Sequence, residues 1–214
     1  MLSSKLIWST SAFLTFCLGA FTSPAMGQSI YNFTANYDTL NTSKAISSSI
    51  SEAFITGESN DALYGLNNIN GATYTQIGFT TGIFRFNTYP ATFGLQGRPL
   101  GSVVFSGSGY NKLFGTDSAT GIIDFSTLTA TSTGAFTITG GEGMFKNAIG
   151  TLAFSEVDQL NLKPDVPFTG RAVVSGTIQI VSEPNSSSMA FSFVMFTVVG
   201  ILFRRFRQPI RFGR

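Results

Sequence analysis

Large apolar residues recur at every second position in several short stretches of the central chain. In Gly134–Gly140, Phe136 and Ile138 alternate with small or polar residues, and Arg171–Val181 repeats the pattern. Alternation gives a β-strand one apolar face and one polar face, so both stretches are predicted strands. Further strand signals lie in Ile46–Ile55, Thr73–Phe86, Ser102–Ser106, Gly121–Phe125 and Gly150–Phe154.

The same central region has no long stretch with apolar residues at helical spacing. It is rich in Gly, Thr, Ser and Phe, which suit pleated surfaces and the turns between them. We therefore predict an all-β fold, a single antiparallel barrel or sandwich formed by residues 28–181. We expect an N-terminal signal helix and a C-terminal transmembrane helix to flank it.

A weak internal repeat accompanies the predicted strands. Each copy begins and ends with glycine, and the first two close on Leu-aromatic-Gly. We predict that each connection tucks an apolar pair, Leu63/Tyr64 or Leu113/Phe114, under the sheet edge; the alternative is a ligand loop used three times. None of the copies has the lysine and hydroxyl pair of a phosphate-binding loop. The copies are Gly57–Gly65, Gly107–Gly115 and a looser Gly141–Gly150.

The N-terminus has the order of a secretory signal peptide. Lys5 precedes a mostly apolar run, Leu6–Phe21, and small residues follow as far as Gly27. We predict a signal peptide over residues 1–27, with cleavage after Ala25 or Gly27. The alternative is a membrane anchor, for which the apolar run is short.

Composition narrows the chemistry of the mature chain. It has no histidine, and the single cysteine, Cys17, lies in the signal segment, so zinc sites and histidine-activated nucleophiles are disfavoured. Seven basic and ten acidic residues lie in 28–181, so the body is slightly acidic. The net positive charge of the whole chain therefore comes from its two ends. Basic residues at the ends indicate membrane topology rather than nucleic-acid binding.

Paired acids are the remaining candidates for chemistry. Glu156 and Asp158 share a face of any strand that holds both, yet the strand signal fades there, so we predict a solvated loop face. A calcium site with Asp165 is the alternative. We predict no catalytic residue, no metal and no cofactor. An enzyme of carboxylate type would need two acids together in a cleft, drawn from Asp117, Asp124, Glu142 and Glu156.

Aromatic side chains either fill the sheet core or line a cavity, and core filling is the prediction we favour. The phenylalanines concerned are Phe79, Phe84, Phe86, Phe93, Phe105, Phe125, Phe136 and Phe145. A sugar-binding platform would have to use tyrosines instead: Tyr31, Tyr37, Tyr64, Tyr74, Tyr89 or Tyr110.

The C-terminal segment, residues 182–214, has the pattern of a sorting tail. Ser182-Glu183-Pro184 precedes an apolar run, Met189–Phe203, and then the basic residues Arg204, Arg205 and Arg207. As a helix the run spans about 22 Å, less than the hydrocarbon core of about 30 Å. The arginines are expected to stay cytoplasmic. A short span suits a temporary tether; a permanent single-span anchor is the alternative.

This arrangement resembles the PEP-CTERM sorting signal of Gram-negative and cyanobacterial exported proteins. Glu183 and Pro184 match its motif, whereas Ser182 stands in place of the first proline. The resemblance implies signal peptidase, processing by an exosortase-like enzyme, a transient stay in the membrane, and release to the cell surface or extracellular matrix. Residues 140–150 also resemble glycine-rich turns of small bacterial β-barrels.

Three functions follow as expectations. The first is an exported, non-enzymatic structural or adhesive protein of the envelope or extracellular matrix, with extracellular polysaccharide as a partner and no nucleic acid. The second is a binding module for a small apolar ligand or a glycan inside a barrel. The third is the carboxylate enzyme. A cavity lined by aromatics with a few convergent polar groups would favour the second, and a solidly packed body would count against it.

Overall fold

The computed structural model describes residues 28–161, 163 and 166–181, and these form one antiparallel β-sheet of nine strands. The predicted all-β, antiparallel class is confirmed. The strands are β1 (Gln28–Ala45), β2 (Ile50–Glu58), β3 (Asn68–Ile77), β4 (Ile83–Asn87), β5 (Ser102–Ser106), β6 (Lys112–Asp124), β7 (Thr129–Glu142), β8 (Ala148–Gln159) and β9 (Phe168–Val181).

The strand pairings close into a ring, so the sheet is a barrel. The hydrogen-bonded order runs β2-β1-β9-β8-β7-β6-β4-β3, and β2 also pairs with β3 over nine residue pairs, from Ile50 with Gln76 to Glu58 with Asn68. β4 and β5 lie in succession between β3 and β6 and together act as one interrupted strand. Closure pairs most strand edges, which is the usual means of protecting an antiparallel sheet, whereas Gln28–Tyr37 of β1 pairs with β9 alone.

The longest strand, β1, was not among the strands predicted from sequence. Its inward positions Phe33, Ala35, Tyr37 and Thr39 are all buried, while the residues between them are exposed. This period of two is visible in the sequence, but the polar Asn and Thr residues around it obscure it. The prediction of one strand over Thr73–Phe86 was also wrong, because a turn at residues 78–82 separates β3 from β4.

One end of the barrel is packed solid. Its core includes the ring of Phe105, which makes edge contacts with Phe33, Tyr37 and Phe136 at centroid distances of 6.2, 5.7 and 4.9 Å. The connections β2–β3, β5–β6 and β7–β8, which hold the three repeats, all lie at this end because they follow strands running in the same direction. The Tyr37 hydroxyl donates to the carbonyl of Leu66 at 2.5 Å, so β1 is tied to the first connection.

Asn111 holds the three connections together. Its Nδ2 donates to the Tyr64 carbonyl at 2.9 Å, and its Oδ1 accepts from the Met144 amide at 3.1 Å. The repeats therefore close the barrel end, as predicted, rather than forming separate ligand loops. The predicted apolar pairs are right in part: Leu113 is buried and Tyr64 packs against the core, whereas Leu63 is exposed. Leu66, directly after the first copy, and Phe145, in the third, are also buried.

The predicted terminal segments, 1–27 and 182–214, lie outside the described residues, as do Ser182, Glu183, Pro184, Arg204, Arg205 and Arg207. Within the part of the chain that the structure describes, no helix is long and apolar enough to span a membrane.

Candidate ligand-binding cavity

The barrel end opposite the packed core contains a cavity of about 380 Å³. Its walls come from the ends of β3, β6 and β8 that lie away from the three repeat connections. A volume of this size is at the lower end of the range for small-molecule pockets. The fold thus divides the barrel into a solid half and an open cup.

Most of the cavity wall is aromatic. Six of the eight phenylalanines considered above line it, so the favoured prediction of core filling holds only in part. Phe105 and Phe136 line the cavity and also belong to the packed core, Phe145 fills the core, and Phe93 lies elsewhere. The lining rings are Phe54, Phe79, Phe84, Phe86, Phe105, Phe125, Phe136, Phe154 and Phe168.

Inward-facing glycines explain how so many rings leave space between them. Gly121 pairs with Phe84 across β6 and β4, and Gly134 pairs with Phe154 across β7 and β8. A Cβ atom at either glycine would overlap the partner ring. The rings therefore lie over bare backbone rather than projecting to the barrel axis, and space remains for another molecule.

The mouth of the cup is bordered by exposed apolar side chains. Phe79, Phe125 and Val166 line the cavity and are 61%, 47% and 39% exposed. Lys163 lies beside them and is the one basic side chain among the described residues that line the cavity. Exposed apolar groups at an opening favour the approach of an apolar molecule from water.

Glu156 and Asp158 lie inside the barrel, each only 7% exposed. The prediction of a solvated loop face is therefore wrong, because β8 continues to Gln159 and turns both side chains inward. Glu156 Oε1 accepts from the Thr39 hydroxyl at 2.8 Å and from Asn41 Nδ2 at 3.2 Å. The same Asn41 nitrogen donates to Asp158 Oδ1 at 2.9 Å.

Burial controls the charge of this carboxyl pair. Desolvation raises the pKa of Asp158, and the neighbouring Glu156 raises it further through charge repulsion and a shared hydrogen bond. Two carboxyls in contact cannot both ionise cheaply, so burial and repulsion together favour the protonated form of Asp158.

A third carboxyl enters the same cavity from β6. Desolvation raises the pKa of Asp117 from 3.8 to about 7, with a further contribution from the charge of Glu156. Asp117 Oδ1 is buried and has no hydrogen-bond partner, and the same holds for Ser132 Oγ, which faces the interior opposite Glu156. Buried polar atoms without partners are rare in folded proteins, so these atoms indicate a site for a donor that is not part of the chain.

The structure places the other candidate acids apart from the cavity. Glu142 is exposed and forms an ion pair with Lys112 at 2.8 Å. Asp124 is exposed, and hydrogen bonds from Ser126 and Thr127 lower its pKa to about 2. Of the four acids considered for a carboxylate enzyme, only Asp117 and Glu156 share a cleft.

Asp61 and the tyrosines also lie away from the cavity. Asp61 accepts hydrogen bonds from Asn36, which lower its pKa to about 2. No tyrosine is among the described residues that line the cavity. Tyr37 and Tyr74 are buried, Tyr31 contacts Tyr64 at the solid end, and Tyr89 and Tyr110 are exposed. They form no common platform for a sugar.

The calcium alternative has only part of its ligand set in the structure. Glu156 and Asp158 meet, but Asp165 lies outside the described residues. Across the described ranges, no group of three or more acidic side chains is arranged to hold a metal ion.

Three inward-facing polar residues were not singled out from sequence: Asn41, which lines the cavity, and Thr39 and Ser132, which are buried in the barrel interior. Each lies an even number of positions from a buried residue of its strand and so faces the same side of the sheet. Alternation along β1 and β7 predicts their orientation, but only the barrel closure brings β1 next to β9 and so near β8.

No protein-family model matches the chain, and neither a curated protein nor a solved structure gives a match.

Proposed function

We propose that the barrel binds a small, mostly apolar molecule in its open cup. The observation that carries this proposal is the cavity of about 380 Å³ with aromatic walls and a compact polar floor. Apolar walls supply most of the binding energy through removal of ligand surface from water, and a few polar groups fix orientation. The absence of tyrosines from the described lining favours an apolar ligand over a glycan.

We further propose that the barrel is an exported cargo carried by its two terminal sequences. The signal-like N-terminus and the tail with Glu183 and Pro184 support this route, with an exosortase-like enzyme as the processing partner. Export would place the ligand-binding cup at the cell surface or in the extracellular matrix, in contact with polysaccharide. Mass spectrometry of secreted protein tests the route: we expect a start after Ala25 or Gly27 and loss of Phe203–Arg214. Secreted protein that always retains Phe203–Arg214 would contradict it.

Binding is tested by filling the cup. Ala53 lines the cavity from β2, whereas Thr56 is exposed on the outer face of the same strand. We expect Ala53→Phe to weaken the binding of an apolar fluorescent probe at least about tenfold, because the added ring takes the ligand's space. Thr56→Phe adds the same ring outside the barrel and is the matched control. Equal probe binding by the two variants would place the site elsewhere.

A second candidate is acid–base chemistry on the bound molecule. Asp117 favours it, because a carboxyl with a pKa of about 7 exchanges protons near neutral pH. The distinction is made by recovering the ligand after incubation. An unchanged mass and structure support simple binding, and conversion that disappears in Asp117→Asn supports an enzyme.

A further inference from the structure

The floor of the cup contains more hydrogen-bond acceptors than donors. Glu156, Asp158 and Asp117 bring carboxyl oxygens to one cavity from two strands. The donors that face them, Thr39 and Asn41, serve Glu156 and Asp158 and leave Asp117 Oδ1 without a partner. A ligand that only accepts hydrogen bonds would leave this floor unsatisfied whenever its carboxyls are ionised.

Positive charge is also missing from the floor. Lys163, the one basic side chain among the described residues of the lining, is exposed in the connection between β8 and β9. Lys44, Lys112 and Arg171 occupy positions of their strands that face away from the barrel interior. Arg171 forms an ion pair with Asp38 at 3.1 Å on the outer surface. Buried carboxylates normally have cationic or donor partners, and here the described chain supplies none to Asp117 Oδ1.

We propose that the natural ligand of the cup is a small lipophilic amine, whose ammonium group binds between Asp117 and the Glu156–Asp158 pair. This inference rests on the proposed binding function and specifies its ligand class. An ammonium has three donors, and the floor offers matching acceptors in Asp117 Oδ1 and the carboxyl pair.

The aromatic walls fit the same ligand. Phe86 and Phe154 stack at a centroid distance of 5.8 Å and both line the cavity with the carboxyls. Ring faces attract cations, and an apolar tail of about ten heavy atoms suits a pocket at the lower end of the usual size range. A lipophilic amine therefore satisfies the walls, the floor and the charge together.

Three probes of the same shape test the proposal: phenylbutylamine, phenylbutanol and phenylbutanoate. Calorimetric titration of the purified protein at about pH 8 should rank the amine at least about tenfold above the alcohol, with the acid weakest, because charge-assisted hydrogen bonds exceed neutral ones. The preference for the amine should shrink at about pH 5, where Asp117 and Asp158 are protonated while the amine keeps its charge.

Variants identify the groups responsible. The ratio of amine to alcohol affinity, measured within each protein, should fall to about one when Asp117→Asn is combined with Glu156→Gln and Asp158→Asn. It should take an intermediate value in Asp117→Asn alone. Glu58→Gln removes an exposed carboxylate from the outer face of β2 and should keep the native ratio.

The outcomes separate this inference from the proposed function. If the alcohol binds as well as the amine, or the acid binds best, the amine proposal is overturned while apolar binding in the cup stands. If none of the three probes binds and Ala53→Phe has no effect on an apolar dye, both are overturned. An amine preference that survives when Asp117, Glu156 and Asp158 are all replaced would also overturn the assignment to these carboxyls.

Discussion

Replacing Asp117 with asparagine should make the protein more resistant to unfolding at alkaline pH. Burial raises the pKa of Asp117 from 3.8 to about 7, so over this range the folded protein holds a proton that the unfolded chain has released. The free energy of unfolding therefore falls as the pH rises through this window, and the loss is complete above the folded pKa.

The magnitude follows from the shift. About three pKa units at about 1.4 kcal/mol each give a loss of about 4 kcal/mol, of which about 3 kcal/mol falls between about pH 5 and about pH 8. Asparagine cannot ionise, so the variant escapes this part of the loss. The raised pKa of Asp158 acts in the same direction in both proteins, so both lose stability over this window and the prediction concerns the difference between them.

Urea unfolding at the two pH values measures the effect, because the midpoint and slope give the free energy of unfolding. Asp124→Asn is the matched control on the same strand: the lowered pKa of Asp124 means that its titration ends below this window. An equal loss of stability between the two pH values in the native protein and in Asp117→Asn would refute the reasoning.

Further substitutions test how the barrel is packed, each by urea unfolding. Gly134→Ala should cost about 1–3 kcal/mol, because its Cβ would overlap Ala119 and the ring of Phe154, whereas Gly140→Ala has open space and should change stability little; equal effects would contradict the role given to the inward glycines. Phe145→Ala should cost about 3–5 kcal/mol by opening a cavity under the third repeat, and a cost below about 1 kcal/mol would show that this end is not packed. Tyr37→Phe should cost about 1 kcal/mol through the lost hydrogen bond to Leu66, and no change would mean that this bond adds nothing net.

Strand periodicity predicted much of the sheet but could not set its limits. β7 and β9 were found because large apolar residues alternate cleanly in them. β1 was missed because its inward side chains are interrupted by asparagine and threonine, and the end of β8 was missed because its inward residues are carboxyls. A strand that carries polar groups into a cavity has the sequence pattern of a loop.

The chemistry of the cup was the harder part to predict. The phenylalanines were visible in the sequence, but their number alone favours a filled core. An aromatic side chain in a strand points inward whether it fills a core or lines a cavity, so the pattern does not distinguish the two. The space between them depends on Gly121 and Gly134, whose bare backbone receives Phe84 and Phe154 from neighbouring strands. Strand register decides which glycine lies opposite which ring, and the register is known only once the strands are paired in the folded structure.

The sequence by itself determined the β-class, the glycine-bounded repeats and the scarcity of catalytic groups, because these depend on composition and on alternation between near neighbours. It also holds the two terminal patterns on which the proposed export route depends. Only the tertiary structure decided that the repeats close one end, that the other end stays open, and that Asp117 lines the same cavity as Glu156 and Asp158. Those contacts join residues up to 117 positions apart, as in the bond from Thr39 to Glu156, and their energy comes from burial that no local pattern records.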